Sequence, residues 1–391
     1  MLVFYGVGVT VGAGIFALIG EILAIAGDFA PLSFLIAGAV AGVTAFSYSL
    51  LVPRFPRAGG EAVYVNRALG QVWARLIGYG IVVAGIVSSS VIAIAFAGYL
   101  QVFVHFPSEA IIVLVVGVLA ATAWFGVKES IYVAAVITVL EVVVLLVIVF
   151  AGIQQLKEVP QFVAGLGHNW TTFSLSAVLS AALLAFFAFI GFEDIANMAE
   201  ETVEPEKTIP KAIVWTLIIT VAIYVSLSLI AVLAQDRSAI TSSSAPLAAL
   251  FSQLTGMSGN SIAAAASVAM INGILVQMVM ASRVLYGMSN EGIAPAWLNK
   301  VSETRKTPAR ATFLVAIAIL GLALFFPLVK LAEITSLLVL GVFASVNLSL
   351  FLLARGAEKE ALGKYKWWGF FGSILCLVIA TFEVVVGGGV H

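Results

Sequence analysis

The sequence predicts an all-α integral membrane protein of about eleven transmembrane helices, built as a single domain. Three observations carry this. Of 391 residues, 62% are hydrophobic and 10% charged, whereas soluble domains run near a quarter charged. The mean hydropathy is +1.14. Apolar runs long enough to cross a bilayer recur along the whole chain, and basic residues fall in alternate loops.

Taken in order, the runs lie near 4–26, 30–52, 74–100, 109–126, 131–152, 174–198, 211–234, 260–288, 311–329, 332–354 and 367–387. Each reaches the ~18 residues that a spanning helix needs. The third and eighth are long and are expected to tilt. The larger polar segments are near 53–73, 153–173, 235–259 and 289–310. The first run lacks a basic flank and continues too far for a signal peptide.

Basic residues set the expected orientation. With the N-terminus cytoplasmic, fifteen fall inside: Arg54, Arg57, Arg67, Arg75, Lys128, Lys207, Lys211, Lys300, Arg305, Lys306, Arg310, Arg355, Lys359, Lys364 and Lys366. Lys157, Arg237 and Lys330 fall outside, and Arg283 lies near the inner end of span eight. One missed helix would scramble this alternation, so the bias supports the span count. The expected location is the cell (plasma) membrane, surrounded by lipid.

Several classes are excluded. A net charge of −1 gives no sign of a nucleic-acid partner. The single cysteine, Cys376, allows no disulfide or CxxC metal site within one chain. His105, His168 and His391 have no ligand spacing, so no metal is expected. No phosphate loop is present: "PRAGGEAVYVNRALG" lacks both GxGxxG and GKS/T. No nucleophile–base constellation sits at one depth, so an enzyme and a cofactor are not expected.

Two spans carry breakers near mid-membrane. The first reads "GVGVTVGAGIFALIG" (residues 6–20), with five glycines, each costing about 1 kcal/mol relative to alanine in a helix. Broken backbone at that depth is tolerated only where it is buried in protein or lines a wet cavity. The freed N–H groups of Gly12, Ala13, Gly14 and Ile15 would start a half-helix whose positive end suits an anion. The bland alternative is close helix packing through Gly8 and Gly12. Span six reads "LLAFFAFIGFEDIANMAEE", with Gly191 followed by Glu193 and Asp194 inside the apolar run. Spans one and six are equivalent if residues 1–152 and 174–354 are two five-helix halves, with 367–387 an extra helix. Paired broken helices in an inverted repeat point to a secondary transporter site.

Four segments then resemble one family. "GVGVTVGAGIF", "PRFPRAGGEAVYVNRALG" (53–70), "FFAFIGFEDIANMAEETVEPEKTIPKAI" (186–213) and "SRVLYGMSNEGIAPAWLNKV" (282–301) resemble the amino acid–polyamine–organocation (APC) superfamily of permeases. The likeness covers spans one to eight in motif detail and the remainder as hydropathy. Members usually have twelve spans, one more than counted here. The resemblance implies the LeuT-type 5+5 inverted repeat with helices one and six broken. It implies that N–H groups around Ala13, Gly14 and Ile15 bind a substrate carboxylate. It implies that carbonyls of Phe187, Ala188 and Ile190 receive the α-ammonium group. Phe187 falls where related exchangers carry an aromatic gate. Together these groups fit an amino acid zwitterion without a charged side chain.

The coupling candidates are Glu141 and Glu193. Glu141 is the sole ionisable side chain near the middle of span five, where proton-coupled relatives often carry lysine. A carboxylate there cannot replace a sodium ion as an ammonium can. It can instead carry a proton or help hold a cation, or serve as structural glue. Glu193 would lie in the first turn of the inner half-helix, where it either couples or caps. Glu21 lies toward the outer end of span one. Span eight offers Ser282 but no adjacent hydroxyl pair, which disfavours sodium. The expected activity is proton-coupled secondary active transport of neutral or varied amino acids. An exchanger, a sodium symporter and a non-transporting amino acid sensor stand as alternatives. Substrate identity and oligomeric state are not legible.

Overall fold

A computed structural model of the protein describes residues 2–56, 60–126, 131–166, 173–290, 292–299 and 307–386. Arg57, Lys128, His168, Lys300, Arg305, Lys306 and His391 lie outside the described residues. Among those described, the regular structure is entirely helical.

The first expected span is two helices, α1 (Leu2–Thr10) and α2 (Ala13–Ala26), separated at Val11–Gly12. After a turn at Gly27 come α3 (Ala30–Leu51), a short α4 (Gly60–Leu69), α5 (Gln71–Leu100), α6 (Ser108–Phe125) and α7 (Ile131–Ala151). A short α8 (Val159–Leu166) precedes the second broken span. That span is α9 (Leu175–Phe187) and the single turn α10 (Asp194–Asn197), with turns between them. The remaining long helices are α11 (Pro205–Val232), α14 (Asn260–Asn290), α15 (Ala309–Phe325), α16 (Leu328–Arg355) and α18 (Lys366–Val386). Short helices α12 (Arg237–Thr241) and α13 (Pro246–Thr255) join α11 to α14, and α17 (Lys359–Leu362) precedes α18.

Seven helical stretches are long and apolar enough to span by themselves, with α2 and α3 counted as one through the turn at Gly27. The stretch from Val136 to Gly165 passes only as a pair bent by 57°. Helices α9 and α15 are apolar but shorter. Each of the eleven expected runs contains a helix, and the first and sixth are broken; among the described residues the smaller number reflects breaks, a bend, one merged pair and the shortness of α15. Helices α5 and α14, at 30 and 31 residues, are longer than the ~20 residues that cross a bilayer.

Helices of residues 1–152 pack against helices of residues 174–354. Helix α2 packs on α9, α3 on α11, α5 on α14 and α6 on α15. Four of the five first-half spans thus touch their counterparts, whereas α7 packs on α1, α11, α13 and α14. Helix α1 is wedged between α7 and α11 and also touches α10.

Two local differences from the sequence reading have physical reasons. Helix α11 begins at Pro205, six residues before the expected start. Proline suits the first helical position because its fixed φ is helical and its missing N–H would be unpaired there. The polar stretch 53–73 contains α4, which buries Glu61, Tyr64 and Val65 on one face. Their i, i+3, i+4 spacing makes a single stripe, which packs against α5 and α16.

Candidate functional site

The two breaks meet. Val9, near the end of α1, faces Gly191, and Gly14, in the first turn of α2, faces Ala188. A Cβ built on Gly14 would stand 2.7 Å from the Ala188 Cα and 3.3 Å from the Phe187 Cδ1. Gly191 has φ +125°, and a Cβ there would lie 2.8 Å from the Val9 carbonyl oxygen. Only glycine meets both the backbone angle and the space. The breakers read from the sequence are thus what lets two backbones touch.

The first break presents donors. Helix α2 starts at Ala13 with Gly12 as its N-cap and no side-chain cap. The first N–H groups of a helix have no partner within it. Those of Gly12, Ala13, Gly14 and Ile15 have no turn or side-chain acceptor among the described residues. Ala13, Gly14 and Ile15 are buried, so these donors do not face bulk water. Gly12 meets nothing closer than the Val9 oxygen at 3.5 Å from its built Cβ. It therefore makes no small-residue packing pair with Gly8, which instead abuts Thr138 of α7.

The second break presents acceptors. Helix α9 tightens as it ends: Ile190 N–H donates to the Phe187 carbonyl at 3.2 Å. The Phe187 carbonyl is thus engaged once. The Ala188 and Ile190 carbonyls receive no backbone N–H among the described residues. Phe187 and Ala188 are 5% and 1% exposed, so the junction is closed over, while Ile190 is half-buried.

Tyr224 of α11, which the sequence reading did not single out, ties the breaks together. Its hydroxyl lies 3.0 Å from the Thr10 carbonyl and 2.9 Å from the Ala188 carbonyl. Its ring is held edge-on by Phe34 and Phe189, with centroids 5.8 and 5.1 Å away. A signal for it was present. Thr216, Thr220, Tyr224 and Ser228 recur every four residues in an apolar span, which places four hydroxyls on one face.

Glu141 is 4% exposed and lies one turn beyond Thr138, on the face of α7 that meets α1. Helix α7 also packs against α11, the helix that carries Tyr224. Glu193 is half-buried and turns back on its own break: its Oε2 accepts the Gly191 N–H at 2.9 Å. Asp194 accepts from Asn197 Nδ2 at 3.4 Å, and Asn197 Oδ1 accepts the Gly60 N–H at 3.3 Å. Helix α4 is so fastened to the second break. Beside it, Tyr48 of α3 donates to Glu61 Oε1 at 2.8 Å.

Beyond α2 a cleft of about 260 Å³ opens, lined by Gly20, Glu21, Gln101, Ser108 and Ser244 among others. Its floor is held by Tyr99, whose hydroxyl donates to the Phe16 carbonyl at 3.1 Å and accepts from the Leu247 N–H at 3.3 Å. Glu21 therefore faces the cleft and not the junction of the breaks. No group of three or more metal-ligating side chains occurs among the described residues.

A helical bundle with two spans broken at mid-length, break against break, is a LeuT-type transporter fold. The structure of a Na+-coupled sialic acid symporter superposes with a TM-score of 0.64 over 98% of this chain and 89% of that one, at 13% identity. That likeness concerns the fold alone. The chain belongs to the amino acid permease family, whose profile matches residues 1–390. It is similar to the branched-chain amino acid permease BcaP of Bacillus subtilis, 27% identical across 90% of this chain and 80% of that protein. The methylthioribose transporter of the same organism is 26% identical with the same coverage. A cationic amino acid transporter of Arabidopsis thaliana is 27% identical across 90% of this chain and 62% of its own length. The protein is a multi-pass membrane protein of a transporter family, and not of an enzyme family.

Proposed function

We propose that this permease is a secondary active carrier that moves α-amino acids across the cell membrane by alternating access, driven by protons. Its N-terminus is cytoplasmic, as the basic loops imply. The observation that carries the reading is the pairing at the breaks. N–H groups at Gly12 to Ile15 that are unengaged among the described residues, and buried from Ala13 on, lie beside the second break, where the Ala188 carbonyl meets only the Tyr224 hydroxyl and the Ile190 carbonyl receives no backbone N–H. Donors in one place and acceptors in the next fit a carboxylate and an α-ammonium group on one carbon. A helix N-terminus favours the anion by its dipole as well.

Phe187 closes over this point and acts as the gate, its ring face suited to a cation. The Phe187 carbonyl, engaged once by Ile190, keeps one lone pair for the ammonium group. The carboxylate at the second break, Glu193, is turned onto the Gly191 N–H and not offered to a substrate side chain, which favours neutral amino acids. The branched-chain preference named for the Bacillus permease agrees with an apolar junction.

Glu141 is the proton carrier, on a helix that packs against both α1 and α11 and so can bear on both breaks. Glu193 supports the second break by holding Gly191, and couples less directly. Proteoliposomes test the reading. An inward proton gradient without sodium should drive accumulation of labelled neutral amino acids, and Glu141→Gln should abolish accumulation while leaving exchange. Accumulation that requires sodium, or that survives in the variant, would sink the proton assignment to Glu141.

A further inference from the structure

One buried polar group near the breaks stands apart. Thr220 of α11 is fully buried, at 0% exposure, and its hydroxyl has no hydrogen-bond partner among the described residues. Such a group destabilises a fold unless something satisfies it. Its neighbours on the stripe are partnered. Tyr224 reaches the Thr10 and Ala188 carbonyls, Thr216 donates to the Val3 carbonyl at 3.5 Å, and Ser228 donates to the Val225 carbonyl at 2.9 Å.

The stripe runs along α1. Thr216 lies against Gly6 and Tyr224 against Thr10, so Thr220 falls between these contacts in the α11–α1 seam. Successive members are about 6 Å apart along the axis. A water held by Thr220 would have Tyr224 one turn on one side and Thr216 one turn on the other. Hydroxyls both donate and accept, so they can relay a proton where a carbonyl cannot.

We propose that Thr220 holds a water in a proton path running down the α11–α1 seam, from Glu141 and Tyr224 to the end of α11 that bears Lys207 and Lys211. The proposal rests on the proton-coupled reading above. Each hydroxyl or water accepts a proton on one side and releases its own on the other. One proton crosses the seam and every group regains its starting form. The ionisable groups on helices packed against α11 are Tyr5 on α1, Glu21 on α2, Tyr48 on α3, Glu141 on α7, Asp194 on α10 and Arg237 on α12. Lys157, Glu158, Glu200 and Glu201 lie in the packed turns. Helix α7, which carries Glu141, packs on both α1 and α11.

The test is Thr220→Val in the full chain reconstituted in proteoliposomes, with labelled neutral L-amino acids as probe. Valine keeps the shape and removes the hydroxyl. Proton-driven uptake should slow by about ten-fold or more. Exchange of internal for external amino acid without a gradient should hold, and the melting temperature should stay or rise. Thr220→Ser should restore driven uptake. Driven uptake at the wild-type rate in Thr220→Val would overturn the path. A fall in driven uptake and exchange together, with a lower melting temperature, would also overturn it and leave Thr220 a packing residue. If the wild type shows no proton-driven uptake, the coupled reading itself fails, whatever the variant does.

Discussion

Gly14 and Ala188 approach so closely that a single methyl on the glycine would stand 2.7 Å from the alanine Cα. The obstacle is backbone and not the end of a flexible side chain. Either α2 or the second break must move to admit it. Gly14→Ala should therefore weaken amino acid binding by at least ~10-fold, about 1.4 kcal/mol. Gly12→Ala is the matched control. Its φ is −51° and its built Cβ meets nothing closer than 3.5 Å, so binding should change by no more than about two-fold, the scale of an unobstructed substitution. Equal losses in both would show that the meeting of the breaks is not what matters. Equilibrium binding on purified protein decides.

Gly191 poses a separate demand. Its φ of +125° and the Val9 carbonyl both exclude a side chain. Gly191→Ala should cost ~1–3 kcal/mol of stability from backbone strain alone. It should also loosen the Glu193 hold on the Gly191 N–H. The expected result is a lower melting temperature together with lower transport. An unchanged melting temperature would mean that the break can be re-formed at no cost.

The Glu61 carboxyl predicts a pH effect outside the spans. Burial pushes its pKa above the ordinary 4.5, while hydrogen bonds, including that from Tyr48, pull it partly back. A raised value means that the folded state holds the proton more tightly than the unfolded chain. That stability is complete below the unfolded value of 4.5 and is lost as pH rises through the folded value. Glu61→Gln keeps an oxygen for Tyr48 and removes the titration. Its melting temperature should gain on the wild type as pH rises from about 5 to about 8. A gap that does not vary with pH would contradict the burial penalty.

Asn347 of α16 bonds to α3 and lies against α18. Its Oδ1 accepts from Ser47 of α3 at 2.6 Å, and its Nδ2 donates to Thr44 Oγ1 and the Phe343 carbonyl, each at 2.9 Å. Gly372 of α18 leaves room for it: a Cβ there would lie 2.6 Å from Oδ1. Asn347→Leu should cost about 1–3 kcal/mol, because Ser47 loses its acceptor and Thr44 its donor. Gly372→Ala should lose stability by crowding the same amide. Thermal unfolding in detergent reads both. A neutral Asn347→Leu would make the network dispensable.

Much of the molecule was legible before its structure. Composition and run length place the chain in a membrane because backbone polar groups in lipid need helices. Glycine at 12, 14 and 191 and acid at 193 mark the broken spans, because such residues are costly there without a purpose. The fold type and the family followed from those breaks and motifs. The count of unbroken spanning helices did not, since breaks and bends divide the apolar runs in ways that hydropathy averages away.

What the sequence determined by itself is local in origin: where the chain is apolar, where a helix weakens, and where its charges lie. Tertiary structure alone decided which weak points meet. Gly14 finds Ala188, Gly191 finds Val9, and Tyr224, 36 residues from Ala188 and 214 from Thr10, stands between the two. Glu61 and Tyr48, from helices α4 and α3, close on one another beside the second break. All but the last of these contacts are set by packing across helices distant in sequence. The periodicity of one helix can show which face turns inward, but only the assembled bundle supplies the group that it faces.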